Sequence, residues 1–233
     1  MSSIKFVKIR NDKGEYYQSY DIFYRLIDWN FEWCELDKVD KDSNETYIFT
    51  VNNGNVKACC ERLHTAKYIL WQLEITYEPC PSYFDEQWVS DRTMKGKFVV
   101  LGGDARLFFE PSPNKRWDFC HLAYLYGKRA QQVAELESQG FTMAPVGFGE
   151  VRDHSIAISR WGLCLHQLDK PILSPQRMTL FACRKLPIVL ERSDNYPYDV
   201  CFLDEFYRQS WPDNNFRRFT EELTFKRCVE EAL

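Results

Sequence analysis

The sequence predicts an α/β fold in which parallel strands are covered by helices, and three observations support this. Strands and helices alternate along the second half of the chain, as expected for strands joined by crossover helices. Hydrophobic residues make up 45% and charged residues 27% of the 233 residues, a balance typical of a packed protein. The pattern changes near residue 115, which predicts domains at 1–114 and 115–210 and a C-terminal helix at 211–233.

The first half is predicted to contain short strands and one long helix. Its predicted strands are 4–9, 46–51, 88–90 and 98–101. After a turn at 52–55, apolar residues recur with helical spacing from Val56 to Leu73. This spacing predicts a helix that ends near Glu74.

The second half alternates more regularly. Its predicted strands are 119–125, 141–146, 162–166 and 186–190, and its predicted helices are 127–139, 153–161, one that begins at Pro175 after the N-cap Ser174, and 216–232. Ligands of open parallel sheets bind beyond the carboxyl ends of the strands. We therefore expect the loops at 125–129, 147–150, 166–177 and 191–195 to share one rim.

Charge and composition exclude several classes of protein. The net charge of −4 gives no global attraction to nucleic acid or to an anionic membrane. No apolar run is long enough to span a membrane and the first residues do not resemble a signal peptide, so a cytoplasmic location is expected. The nine scattered cysteines fit neither a disulfide framework nor a zinc site, so no metal is expected.

The predicted strand-to-helix junction at Gly127, Lys128 and Arg129 is a candidate anion site. Amide groups and the helix dipole attract phosphate at a helix N-terminus, and the glycine lets the backbone approach closely. An ordinary turn with solvated basic residues is the alternative.

Arg177 lies in the first turn of the helix that begins Pro175-Gln176. The helix dipole disfavours a cation there by roughly 0.3–1 kcal/mol, so an anionic partner would explain its position. A surface arginine that swings away from the helix end is the alternative.

Two further features lie on the predicted rim. Gly147 and Gly149 form a Gly-x-Gly turn that either contacts a ligand or only precedes a helix. His166 ends a predicted strand, where it would contact a sugar or phosphate and be a catalytic candidate beside Glu74, unless it is satisfied within the fold.

A transferase that acts on a hydroxyl group benefits from a base, and Glu74 is our candidate in the first half. Asp28, His64 and Asp91 remain alternatives, and each of the four has a solvated surface role as its competing interpretation. The Asp40-Lys41-Asp42 segment has the form of a metal motif but lies in a charged loop, so we interpret it as a turn.

The order of these motifs along the chain resembles that in the C-terminal domain of GT-B type glycosyltransferases of the family 1/4 and CgeB-like groups. The segments that carry the resemblance are 125–129, 146–149, 163–167, 175–177 and 186–191. The resemblance implies two Rossmann-like halves with parallel sheets, the N-terminal one reduced and on the acceptor side. It also implies that the candidate residues named above on the predicted rim bind the donor. The short first half is typical of compact phage enzymes.

The sequence departs from this pattern within the helix that contains Arg177. The family places a glutamate three residues after this arginine to bind the donor ribose, whereas this chain has Leu180. Small residues are usual where Arg184 and Lys185 stand. Glu191 is a candidate substitute for the missing glutamate.

The resemblance implies a metal-independent glycosyltransferase that uses a nucleotide-diphosphate sugar as donor substrate, with no cofactor. Arg129 and Arg177 would replace a metal at the diphosphate. The expected acceptor is a hydroxyl of a glycan, or of a hydroxymethylated base in phage DNA. Aromatic side chains of the first half are candidates for stacking on it: Tyr16, Tyr17, Tyr20, Tyr24, Trp29, Trp33 and Trp71. The alternative is a non-catalytic protein that binds a nucleotide or nucleotide sugar.

Overall fold

The computed structural model describes residues 3–11, 13–17, 20–61, 64–73, 80–166, 175–192, 200–203 and 215–233. The chain forms two compact units, Met1–Val99 with Val229–Leu233, and Val100–Cys228. The division falls earlier than residue 115 because the segment after Val99 packs within the second unit. Leu101 and Leu107 are buried there, and Thr179 Oγ1 donates a hydrogen bond to the carbonyl of Leu101 at 2.6 Å.

The first unit is built on a six-stranded parallel sheet with the order β2-β1-β3-β4-β5-β6. The strands are β1 Ile4–Lys8, β2 Glu32–Glu35, β3 Thr46–Phe49, β4 Lys67–Gln72, β5 Glu86–Val89 and β6 Lys97–Phe98. Helix α1 spans Asp21–Asn30 and buries an apolar face that includes Phe23 and Leu26. Helix α2, Gly54–Cys60, begins where the Asn53 side chain accepts hydrogen bonds from the amides of Asn55 and Val56.

The predicted helix from Val56 to Glu74 is wrong beyond Cys60. Residues 67–72 form β4, which pairs with β3 on one side and β5 on the other. A central parallel strand is buried on both faces, so its sequence is apolar at consecutive positions, and Tyr68 to Trp71 have this character. The residues that fitted a helical repeat were only some of the apolar residues in this continuous segment.

The second unit contains a four-stranded parallel sheet with the order β10-β9-β8-β7. Its strands are β7 Trp117–His121, β8 Ser159–Cys164, β9 Ile188–Leu190 and β10 Val200–Phe202. Its helices are α3 Lys128–Ser138, α4 Gly149–Ala157, α5 Pro175–Cys183 and α6 Asn215–Arg217, which continues as a π-helical turn Arg218–Glu222. Helix α7, Phe225–Ala232, begins in this unit, and its residues from Val229 onward belong to the first unit. Phe119, Leu163 and Val189 form part of the core between the sheet and its helices.

Several predicted boundaries in this unit are wrong. Strand β7 ends at His121 instead of continuing to residue 125. The segment 141–146 makes one isolated bridge, between Met143 and Phe119, because Pro145 interrupts further pairing. Asp153 lies inside α4 rather than at its start, and Trp161 belongs to β8.

The predicted C-terminal helix 216–232 is interrupted. The helix is interrupted at residues 223–224. There the Gly103 amide donates to the Leu223 carbonyl at 3.0 Å, and the Phe225 amide donates to the Gly103 carbonyl at 2.7 Å. A side chain at Gly103 would place its first carbon 2.4 Å from the Cys183 sulfur, so only glycine permits this approach. Within the described residues, no helix combines the length and apolar character that crossing a bilayer requires.

Candidate functional site

The carboxyl ends of β7, β8 and β9 and the first turns of α3 and α5 supply the candidate site, and all belong to the second unit. Gly127 precedes α3 with φ +55° and ψ −132°, a conformation that side-chain-bearing residues rarely adopt. Lys128 and Arg129 are the first two residues of α3, which begins one residue later than the helix 127–139 that the sequence predicts. Arg129 is buried, and its Nε donates to the Leu165 carbonyl at 3.2 Å.

Helix α5 begins at Pro175, as predicted, and the expected N-cap Ser174 lies outside the described residues. Arg177 is in the first turn of α5, and its Nη1 is fully enclosed. Among the described residues, neither this Nη1 nor the Oε1 atom of Gln176 has a hydrogen-bond partner. Arg177 does not swing into solvent, which removes the surface alternative.

Two positive charges thus lie in a poorly solvated environment. Burial and the nearby Arg177 lower the pKa of Arg129 to about 10. Burial likewise lowers the pKa of Arg177. In the part of the chain that the structure describes, neither guanidinium forms an ion pair with a carboxylate. The arrangement favours an anionic ligand because an uncompensated buried charge is costly.

His121, the last residue of β7, lies beside these arginines. It is 1% exposed, and its Nδ1–H donates to the Leu163 carbonyl at 2.9 Å. Burial and the charges of Arg177 and Arg129 lower the pKa of His121 to about 3. His121 is not among the site residues that the sequence predicts, because a strand that continues to residue 125 places His121 in its interior. No local signal ends the strand at His121, because Leu122 and Ala123 continue the apolar character of the segment.

Glu191 follows β9 and has partners on two other elements. Its Oε1 pairs with Lys128 Nζ at 2.5 Å, and its Oε2 accepts from the His166 backbone amide at 2.9 Å. Burial would raise the pKa of Glu191, but these two interactions hold it below its ordinary value. The His166 ring also contacts the Glu191 carbonyl through Nε2 at 3.1 Å. Glu191 therefore contacts both Lys128 and His166.

Gly147 precedes α4, and Gly149 is the first residue of this helix. Gly149 has φ +57°, and a side chain at Gly147 would approach Val151 to 2.5 Å. The Phe148 ring contacts the Tyr124 ring with 5.8 Å between centroids, which links the start of α4 to the loop before α3. Tyr124 and Tyr126 are exposed in that loop.

The catalytic candidates other than His166 belong to the first unit. Glu74 lies outside the described residues. Asp28 pairs with the buried Lys8, and His64 Nδ1 contacts the Ala66 carbonyl at 2.8 Å. Asp91 is buried, accepts through Oδ1 from Thr93, and leaves its Oδ2 without a partner among the described residues.

The Asp40-Lys41-Asp42 segment is a turn, as interpreted, in which the Asp42 amide donates to Asp40 Oδ1 at 3.1 Å. Within the described ranges, no three His, Cys, Asp or Glu side chains are grouped to hold a metal ion.

Comparisons with known proteins identify the fold. No family model and no curated protein matches the sequence. Among solved structures, the chain is similar to AviGT4, a glycosyltransferase involved in avilamycin A biosynthesis, with a TM-score of 0.63 and 11% sequence identity. The match covers 99% of this chain and 96% of that chain. This likeness confirms the predicted α/β, GT-B-like fold.

Proposed function

We propose that this protein is a glycosyltransferase that binds a nucleotide-diphosphate sugar at the carboxyl ends of β7, β8 and β9. The donor-binding residues would be Gly127, Lys128, Arg129, Gly147, Gly149, His166, Pro175, Gln176, Arg177 and Glu191. The fold shared with AviGT4 supports the reaction class, and the chemistry of this sheet edge supports the donor class.

The observation that carries the proposal is the pair of poorly solvated guanidinium groups, Arg129 and Arg177, each in the first turn of a helix. A helix N-terminus already presents unpaired amides, and adding an arginine there makes the local field strongly positive. The enclosed Nη1 of Arg177 also lacks a described partner. A diphosphate supplies the missing acceptors and the missing negative charge together.

The same residues would assist the reaction. When the bond between the sugar and the β-phosphate breaks, negative charge accumulates on the departing nucleoside diphosphate. Arg129 and Arg177 would stabilise that charge from fixed positions, which is the contribution a divalent cation makes in metal-dependent enzymes. We therefore propose a metal-independent reaction.

The acceptor would be a hydroxyl group bound by the first unit. Tyr20, Tyr24 and Trp71 are buried there as core residues, whereas Trp33 is 41% exposed. A glycan is our first choice because the net charge of −4 offers no general attraction to DNA. A hydroxymethylated base in phage DNA is the alternative. The catalytic residues would be Glu74 and His166, with Asp91 as an alternative base.

A second candidate, a binding protein without transferase activity, is favoured by two observations. Leu180, where the family resemblance expects a ribose-binding glutamate, is 1% exposed in the core. Glu191, its candidate substitute, is already engaged by Lys128 and the His166 amide. Binding of a nucleotide sugar without turnover would select this candidate.

The test measures nucleotide binding and sugar transfer in Arg177→Ala and Arg129→Ala. Titration calorimetry with UDP, GDP and ADP and with their glucose conjugates first identifies the nucleotide bound by the wild type. Each variant is expected to lose more than about tenfold in affinity and in release of nucleoside diphosphate, because a charge-assisted contact is removed. Arg160→Ala is the matched control, since its side chain is 56% exposed.

Unchanged binding in Arg177→Ala would refute the donor site. Transfer is assayed with glycan acceptors and with DNA that contains hydroxymethylcytosine, in the presence and absence of EDTA. Loss of activity with EDTA would refute metal independence.

A further inference from the structure

Among the described residues, one nitrogen of the His121 imidazole forms a hydrogen bond and the other does not. Its Nδ1–H donates to the Leu163 carbonyl at 2.9 Å, so this nitrogen carries the proton. Its Nε2 is enclosed and has no hydrogen-bond partner among the residues described. The ring is 1% exposed, so solvent reaches Nε2 poorly. A buried polar atom without a partner in the unliganded protein is a candidate contact for a ligand.

The protonation state of His121 restricts what Nε2 can bind. Burial and the charges of Arg177 and Arg129 disfavour the imidazolium and lower the pKa of His121 to about 3. At neutral pH the ring is therefore uncharged, and Nε2 presents only a lone pair. Phosphate oxygens are also acceptors, so they are excluded as partners of Nε2. A hydroxyl group can donate to it.

Arg177 provides the complementary half of this arrangement. Its Nη1 is a donor that also lacks a partner among the described residues. Arg177 is close enough to His121 to influence the protonation of the ring. One small region therefore offers an unused donor suited to phosphate and an unused acceptor suited to a hydroxyl. A nucleotide sugar contains both groups, separated by few bonds.

We propose that His121 Nε2 accepts a hydrogen bond from a sugar hydroxyl of the donor, while Arg129 and Arg177 hold the diphosphate. The inference rests on the proposed function and deepens it, since His121 becomes a specificity residue for the donor. The hydroxyl belongs either to the transferred sugar or to the ribose, which share this chemistry.

Two substitutions separate the two ring nitrogens. In His121→Asn, the side-chain amide can still donate to the Leu163 carbonyl, but no acceptor remains at the position of Nε2. In His121→Gln, the longer side chain places an amide near that position and restores the acceptor. His154→Asn is the control, because His154 is an exposed histidine on α4. Circular dichroism establishes that each variant is folded.

The experiment is calorimetric titration of these variants with UDP, GDP, ADP and their glucose conjugates. We expect His121→Asn to bind the preferred conjugate at least about tenfold more weakly, because sites built to bind a hydroxyl discriminate strongly when the contact is lost. His121→Gln should recover most of this loss. His154→Asn should bind like the wild type.

The pattern across ligands identifies the hydroxyl. A loss confined to the glucose conjugate assigns the contact to the transferred sugar. An equal loss for the nucleoside diphosphate, which disappears with its 2′-deoxy or 3′-deoxy form, assigns it to the ribose.

Unchanged affinity of His121→Asn for every ligand would overturn the inference, as would equal losses in the Asn and Gln variants. If Arg177→Ala still loses nucleotide binding in that case, the proposed function stands and only the role of His121 fails.

Discussion

In the proposed donor site, Arg129 and Arg177 would favour binding of an anion, but their burial lowers the stability of the unliganded protein. Each guanidinium lost much of its hydration when the chain folded, and neither forms an ion pair with a described carboxylate. Unpaired buried charge destabilises a folded protein, whereas an anionic ligand relieves the cost. The unliganded protein should therefore be less stable than its packing alone would allow.

Arg177→Met tests this at the residue scale. The substitution keeps much of the side-chain volume and removes the charge, so it should raise the free energy of unfolding of the unliganded protein by about 1–2 kcal/mol. Urea denaturation without ligand measures the change. Arg160→Met, on an exposed side chain, should stay within about 0.5 kcal/mol of the wild type. A marked loss of stability in Arg177→Met would contradict the description of an uncompensated charge.

At the scale of elements, Glu191 connects the end of β9 with the start of α3 and the end of β8. Its contacts with Lys128 and with the His166 amide favour the ionised carboxylate and lower its pKa. A carboxyl group with a lowered folded-state pKa adds stability above its ordinary value of 4.5. That stability is lost as the pH falls through the folded-state pKa.

Glu191→Gln should therefore destabilise the protein by about 1 kcal/mol at pH 7, a modest value because the pair is partly exposed to solvent. Urea denaturation of variant and wild type at several pH values measures the difference. The difference should shrink as the pH falls below 4.5, because the carboxyl group of the unfolded chain binds a proton there and that of the folded protein does so only at lower pH. A difference that does not change with pH would mean that the pair contributes by packing alone.

The turn before α3 depends on its glycine. A side chain at Gly127 would meet no atom within 4 Å, so Gly127→Ala changes backbone strain without steric conflict. We expect a loss of about 1–3 kcal/mol in stability, since alanine disfavours this backbone conformation. Gly54→Ala is the matched control, because that site is equally open and its φ is ordinary. Thermal denaturation of both variants compares them, and equal effects would exclude backbone strain as the cause.

The sequence predicts those elements whose local signals agree with their tertiary surroundings. Pro175 begins α5, and Gly127 precedes α3, because helix-start chemistry is local. The same local signals fail for β4, which is helical in spacing but buried on both faces by its neighbours. The position of Arg177 also follows from local rules. The role proposed for His121 does not, because its surroundings come from three separate segments of the chain.

At the scale of the whole molecule, the last five residues belong to the first unit although they follow the second in sequence. Val229 and Ala232 are buried, and the Ala232 carbonyl accepts a hydrogen bond from Lys97 on β6. Removal of residues 229–233 should destabilise the first unit selectively. Hydrogen-exchange measurements should show faster amide exchange in β5 and β6 of this truncated variant. Removal of the exposed Leu233 alone should leave the exchange rates of β5 and β6 unchanged. Faster exchange confined to 100–228 would contradict this assignment.

The path of the chain, which leaves the first unit after Val99 and rejoins it at Val229, has a consequence for engineering and for ancestry. The first unit is split between two stretches of the sequence, whereas the second unit, Val100–Cys228, is one uninterrupted stretch. A fragment that stops at residue 99 lacks its own closing segment, so independent expression of that half requires a graft of the terminal residues. End-to-end fusion of two complete genes would not by itself produce this connectivity, whereas insertion of the second unit into the gene of the first would.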